Sequence, residues 1–145
     1  MSDRHRAFLA FHGAVIIFVA LVLGLLAVTD SPAAGVRNWR SAHQTLLVFG
    51  AWLLATAGAG SVLRLAQREA RGLVWALSTG GYSMALTLAV RASTGVTGFE
   101  PGGSVAASIA FASNALVMLA SVLAALLTLS GAWNALRHSA EPRAG

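Results

Sequence analysis

Four long apolar runs, none containing an Asp, Glu, Lys or Arg, limit what this chain can fold into. They cover Phe8 to about Val28, about Ala42 to Leu63, about Leu73 to Val90 and about Val105 to Leu129. A helix needs about 18 to 25 such residues to cross the hydrocarbon of a bilayer. Inside lipid only helices and closed barrels satisfy their own backbone groups, and these unbroken runs lack the alternation of barrel strands. The expectation is an all-α integral membrane protein, a four-helix bundle in one transmembrane domain over residues 1–145. Its short connections make sequential helices antiparallel neighbours.

Composition agrees. Of the residues, 57% are hydrophobic and only 10% are charged, where a soluble domain carries about a quarter. No cysteine is present, which excludes disulfides, iron–sulfur clusters and thiolate ligands. The net charge of +5 is carried by arginines scattered between apolar runs, so they read as membrane anchors and not as a nucleic-acid patch. Their distribution sets orientation. Arg4, Arg6, Arg64, Arg68, Arg71, Arg137 and Arg143 fall on one side, and Arg37, Arg40 and Arg91 on the other. Both termini are therefore expected in the cytoplasm of a bacterial cell, with the chain a multi-pass protein of its inner membrane. Arg4-His5-Arg6 before an apolar run has the start of a signal peptide. The run is long, however, and Ser31-Pro32-Ala33 is a poor cleavage site, so the segment is expected to stay.

Between the runs, Thr29-Asp30-Ser31-Pro32 ends the first helix, and Asn38 or Ser41 is a candidate cap for the second. Arg64 to Gly72 reads as a tight basic turn and Arg91 to Ser104 as the longest loop. Alanines recur every four residues at Ala51, Ala55 and Ala59, at Ala106 and Ala110, and at Ala120 and Ala124. Such stripes let helices approach closely, within one chain or across a homo-oligomer seam.

Few groups inside the runs carry chemistry. No carboxylate lies in them, which argues against a proton-coupled transporter. His12 suits interfacial packing. His43 opens the second run in Trp39-Arg40-Ser41-Ala42-His43, and there a metal or haem ligand and an interfacial histidine are both open readings. The two histidines sit near opposite ends of antiparallel helices, roughly 20 Å apart in depth, so one haem cannot bridge them. A haem held by one histidine keeps an open position suited to Lewis-acid chemistry. Gly50, with Leu47 and Leu54 on the same face, either admits a flat ring or serves helix packing. Thr79, Ser83 and Thr87 form a row in the third run, and Tyr82 and Asn114 lie near mid-membrane. Interhelical hydrogen bonds are the ordinary use of such groups, and a substrate contact is the alternative.

His12-Gly13, Trp39-x-x-Ala42-His43, Ala70-Arg71, Gly81-x-Ser83 and Thr97-Gly98-Phe99, in that order, resemble the styrene oxide isomerases, small four-helix membrane enzymes. The resemblance implies a trimer holding haem b on the histidine matching His43. Trp39 and Gly50 are the further cofactor-binding candidates, from their places along the same helix. The resemblance further implies that ferric iron takes the oxygen of a small apolar epoxide, the ring opens at the benzylic carbon, and a hydride shift gives an aldehyde. Three family positions differ. Phe49 stands where the family has asparagine, Gly80-Gly81-Tyr82 where it has Asp-Gly-Trp, and Leu88 where it has tyrosine. Phe49, Leu88 and Ser83 are the substrate-pocket candidates by the same resemblance, and Tyr82 and Asn114 are the candidates to replace the lost positioning groups. The rival readings are a haem-binding or electron-transfer subunit without isomerase activity and a cofactor-free assembly or structural subunit.

Overall fold

The computed structural model describes residues 1–29 and 33–139, the side chains of residues 29 and 33–37 excepted. The described chain is all-helical. It comprises α1 (Asp3–Thr29), α2 (Ala33–Ala59), α3 (Gln67–Thr94) and α4 (Val105–Ser139). Asp30, Ser31 and Pro32 of the first connection, with the cleavage site weighed there, and Arg143 lie outside the described residues.

Every helix except α2 is long and apolar enough to cross a membrane. Topology makes α2 cross as well. Arg6 Nε donates to the Ala57 carbonyl at 3.2 Å, and the Arg64 amide donates to the Gly131 carbonyl at 3.1 Å. The start of α1, the end of α2 and the last turns of α4 thus share one end of the molecule. Since α1 and α3 both set out from that end, α2 must return between them. Its 27 residues extend about 40 Å, enough to do so.

The helices outrun the apolar segments, for local reasons. At the start of α1, the Ser2 hydroxyl accepts the His5 amide at 3.4 Å, a serine cap that begins the helix before Phe8. The second helix departs most from expectation. It begins at Ala33, so Asn38 and Ser41 lie within it and cap nothing. It stops at Ala59 instead of Leu63, in a segment weakened by Gly58 and Gly60. The Glu69 carboxylate accepts the Ala66 amide at 2.8 Å and opens α3. Gly95 closes α3 in the left-handed region at φ 75°, its amide donating to the Arg91 carbonyl. The loop expected from Arg91 therefore begins four residues later. The last helix continues ten residues beyond Leu129, because Ala132 to Arg137 contains good helix formers and no proline.

At the centre of the arrangement, α3 packs against α1, α2 and α4. α1 packs on α2, and α4 makes no close backbone approach to either of them among the described residues. The result is an open bundle. Alanine stripes divide between the two uses foreseen for them. Ala110, Ala120 and Ala124 are buried within the chain, whereas Ala51, Ala55 and Ala59 on α2 face outward. Between α3 and α4, Thr87 Oγ1 donates to Ser113 Oγ at 2.8 Å.

The α1–α2 pairing positions the site. Gly13 and Gly50 face each other, where a Cβ on either would stand 3.1 Å from the other's carbonyl oxygen. Seven residues further along α1 and seven back along α2, the Ala20 carbonyl meets His43. Two heptad-spaced contacts fix this register. Gly50→Val is expected to cost about 1–3 kcal/mol, because the added bulk meets backbone and the Ile17 side chain. Thermal unfolding in detergent would measure it, and an unchanged midpoint would contradict the register.

Candidate functional site

His43 sits in α2, half-buried against α1. Its Nδ1 lies 2.7 Å from the Ala20 carbonyl oxygen. A carbonyl only accepts, so Nδ1 carries the proton and Nε2 presents its lone pair. The ring reaches α1 because residue 24 has no side chain: a Cβ on Gly24 would stand 2.6 Å from His43 Nδ1 and 3.0 Å from Cε1. Neighbours Leu23, Ala42 and Leu46 are buried core residues, as is Ala20. An imidazole held by one nitrogen in an apolar wall, with the other free, has the arrangement that orients histidine metal ligands.

The remaining candidates are not gathered around this ring. Gly50 is buried in the helix crossing, and α1 fills the space it leaves. Trp39 is partly buried against the core one turn before His43. On the α3 side, the Phe49 ring lies over Gly80 and Gly81, with a Cβ on either glycine at 3.2 Å from it. Its edge meets Trp52 at 5.4 Å between centroids. The large ring on α2 is thus matched by absent side chains on α3. Ser83 is buried, and its carbonyl accepts the Thr87 hydroxyl. Leu88 and Asn114 line a separate cavity of about 360 Å³ with Asn38, Ser41, Thr45 and Arg91. Asn114 Nδ2 there reaches the Gly98 carbonyl at 3.5 Å. Tyr82 points to a third place, its hydroxyl 2.6 Å from His12 Nδ1. The His12 ring also packs tilted against Phe8, with ring centroids 4.1 Å apart.

Reading along the sequence missed Gly24 and Ala20. A glycine inside a helix costs about 1 kcal/mol relative to alanine, and that is the only signal Gly24 gives. Recognising its use requires the register of α1 against α2, which no single helix contains.

The sequence pattern of the family described as styrene oxide isomerase matches residues 5–133. The chain belongs to the styrene oxide isomerase family. Within the stretch matched to that family lie the four helices from His5 as far as Trp133, and with them His43 and its α1 cradle. Neither the curated proteins nor the solved structures offer a match. As a styrene oxide isomerase family member the chain is a multi-pass membrane protein, in keeping with its apolar helices.

The donor set bears on which metal group fits. Among the described residues, no three His, Asp or Glu side chains come together. A bare ion held by several protein donors therefore has no site among them. One histidine suits a group that brings its own remaining ligands, as a porphyrin does.

Proposed function

We propose that this protein is a haem b-dependent membrane isomerase that rearranges a small apolar epoxide to an aldehyde or ketone. The observation that carries the reading is His43, fixed through Nδ1 on the Ala20 carbonyl with Nε2 left for iron. When bound, ferric haem supplies a Lewis acid with an open coordination position.

The chain does the rest. His43 holds the group at one depth, and Gly24 keeps its ring in place. Buried apolar residues of α1 and α2 around His43 exclude water, which would otherwise open an epoxide to a diol. Rearrangement consumes no second reactant, so the site needs no route for one. With both termini in the cytoplasm, His43 lies toward the outer leaflet. The substrate is apolar because it arrives through lipid or a greasy cleft. The outward-facing Ala51, Ala55 and Ala59 stripe supports a homo-oligomer, a trimer by family resemblance.

Offering the haem-loaded protein an aryl epoxide and separating the products tests the activity. A carbonyl product is expected, and a diol or unchanged epoxide would refute it. A haem protein without isomerase activity is the second reading. It is favoured by Phe49 and Leu88, both buried and both apolar where the family has asparagine and tyrosine.

Tyr82 and Asn114 are proposed to contribute only indirectly, because each has a partner away from His43. Tyr82→Phe is expected to keep the haem spectrum and full activity, at a stability cost of about 0.6 kcal/mol for one interhelical hydrogen bond. Loss of turnover with the spectrum intact would instead make the Tyr82 hydroxyl a catalytic group.

A further inference from the structure

At the end of the molecule that holds both described termini, α1 and α3 part to leave a cavity of about 420 Å³. Its polar rim is formed by Ser2, Arg4 and His5 from α1 and its approach, and by Gln67 and Arg71 from α3. Phe8, Val74 and Trp75 form the apolar wall. Among the described residues, no carboxylate lines it. The two acids nearest in sequence are committed elsewhere: Asp3 pairs with Arg6 at 3.1 Å, and Glu69 accepts the Ala66 amide. Arg4 and Arg71 form no ion pair among the described residues. The first turns of α1 and α3 both border the cavity, adding the partial positive charge of two helix starts.

Two arginines from different helices, with no counter-ion among the described residues, call for an anion at the rim. The wall says what the anion is attached to. Trp75 is 66% exposed and Phe8 41% exposed, on faces that meet hydrocarbon in a membrane protein. An amphipathic aromatic such as Trp75 sits at headgroup level, with apolar chains alongside. One turn further along α1, outside the cavity, His12 packs its ring against Phe8 and bonds Tyr82 of α3. A free anion would use the rim and leave the wall idle.

We propose that this cleft binds one anionic phospholipid, its phosphate between Arg4 and Arg71 and an acyl chain along Phe8 and Trp75. The site is separate from His43 and independent of the haem reading. Basic pockets between membrane helices hold anionic headgroups in this way.

The test uses the full-length protein, delipidated in a neutral detergent. Thermal unfolding is followed while phosphatidylglycerol, phosphatidylcholine or inorganic phosphate is added. Phosphatidylglycerol is expected to raise the midpoint saturably, and the other two to leave it unmoved. Arg4→Gln with Arg71→Gln should weaken the apparent phosphatidylglycerol affinity at least tenfold. Arg64→Gln with Arg68→Gln, which removes the same charge outside the cavity, should leave it unchanged. An equal shift from phosphatidylcholine would overturn the role of the arginines. A shift from phosphate alone would make the site one for a free anion. Equal weakening in both double variants would reduce it to general surface charge.

Discussion

Replacing His43 by alanine is expected to abolish the Soret band of the purified protein while leaving its helical content unchanged. The effect should be near complete, because nothing stands by to replace the ligand. Of the other histidines, His5 and His138 lie at the far end of the bundle, in the first turn of α1 and the last turn of α4. His12 is engaged with Tyr82. The ring of His43 meets α1 at Ala20 and Gly24, eight to twelve residues beyond His12, or about 12–18 Å along the helix. The fold has little to lose, since the substitution removes one interhelical hydrogen bond worth about 0.6 kcal/mol. His43→Gly offers a sharper version, because free imidazole can enter the space vacated by the side chain. Recovery of the band on adding imidazole would separate a lost ligand from a damaged fold. A Soret band of wild-type height in His43→Ala would remove His43 from the site, and with it the isomerase reading in its present form.

What the sequence made legible follows from the physics of each feature. Lipid imposes a length and a polarity on anything that crosses it, and both are visible in a linear chain. The apolar runs therefore place α1, α3 and α4 well. They place helix ends poorly, because a helix stops where its backbone loses a partner or meets a glycine. Ser2 and Gly95 act in that way, whereas Asn38 and Ser41 have the chemistry of caps and lie inside α2. His43 stood out as a chemical type at the head of a helix. What holds its ring in place, the Ala20 carbonyl and the Gly24 notch, lies on another helix and depends on register. Tyr82 and Asn114 show the opposite case. Both were conspicuous as polar groups at mid-membrane, and the structure gives each its own partner, His12 and the Gly98 carbonyl. The Phe49–Gly80 contact also depends on register.

The notch itself supplies the other large effect. Gly24→Ala adds one methyl group, placed 2.6 Å from His43 Nδ1 and 3.0 Å from Cε1. Neither atom is the free end of a flexible chain, so the imidazole must turn away and give up the Ala20 carbonyl. Losing the partner that orients a metal-binding histidine costs about 10–100-fold in affinity, and haem titration of the apoprotein should show a weakening in that range. Stability should move the other way. Alanine is the better helix former by about 1 kcal/mol, which exceeds the about 0.6 kcal/mol of the interhelical hydrogen bond given up when the ring swings out. The apoprotein should therefore unfold at the same temperature or higher while binding haem more weakly. Gly58→Ala serves as the comparison, since a Cβ there meets nothing within 4 Å; it should share any gain in stability and keep wild-type haem affinity. Equal haem affinities in the two variants would show that the notch does not govern the ligand. A fall in both stability and affinity for Gly24→Ala alone would mean that the methyl group disturbs the α1–α2 crossing as a whole, and that Gly24 serves packing instead of aiming His43.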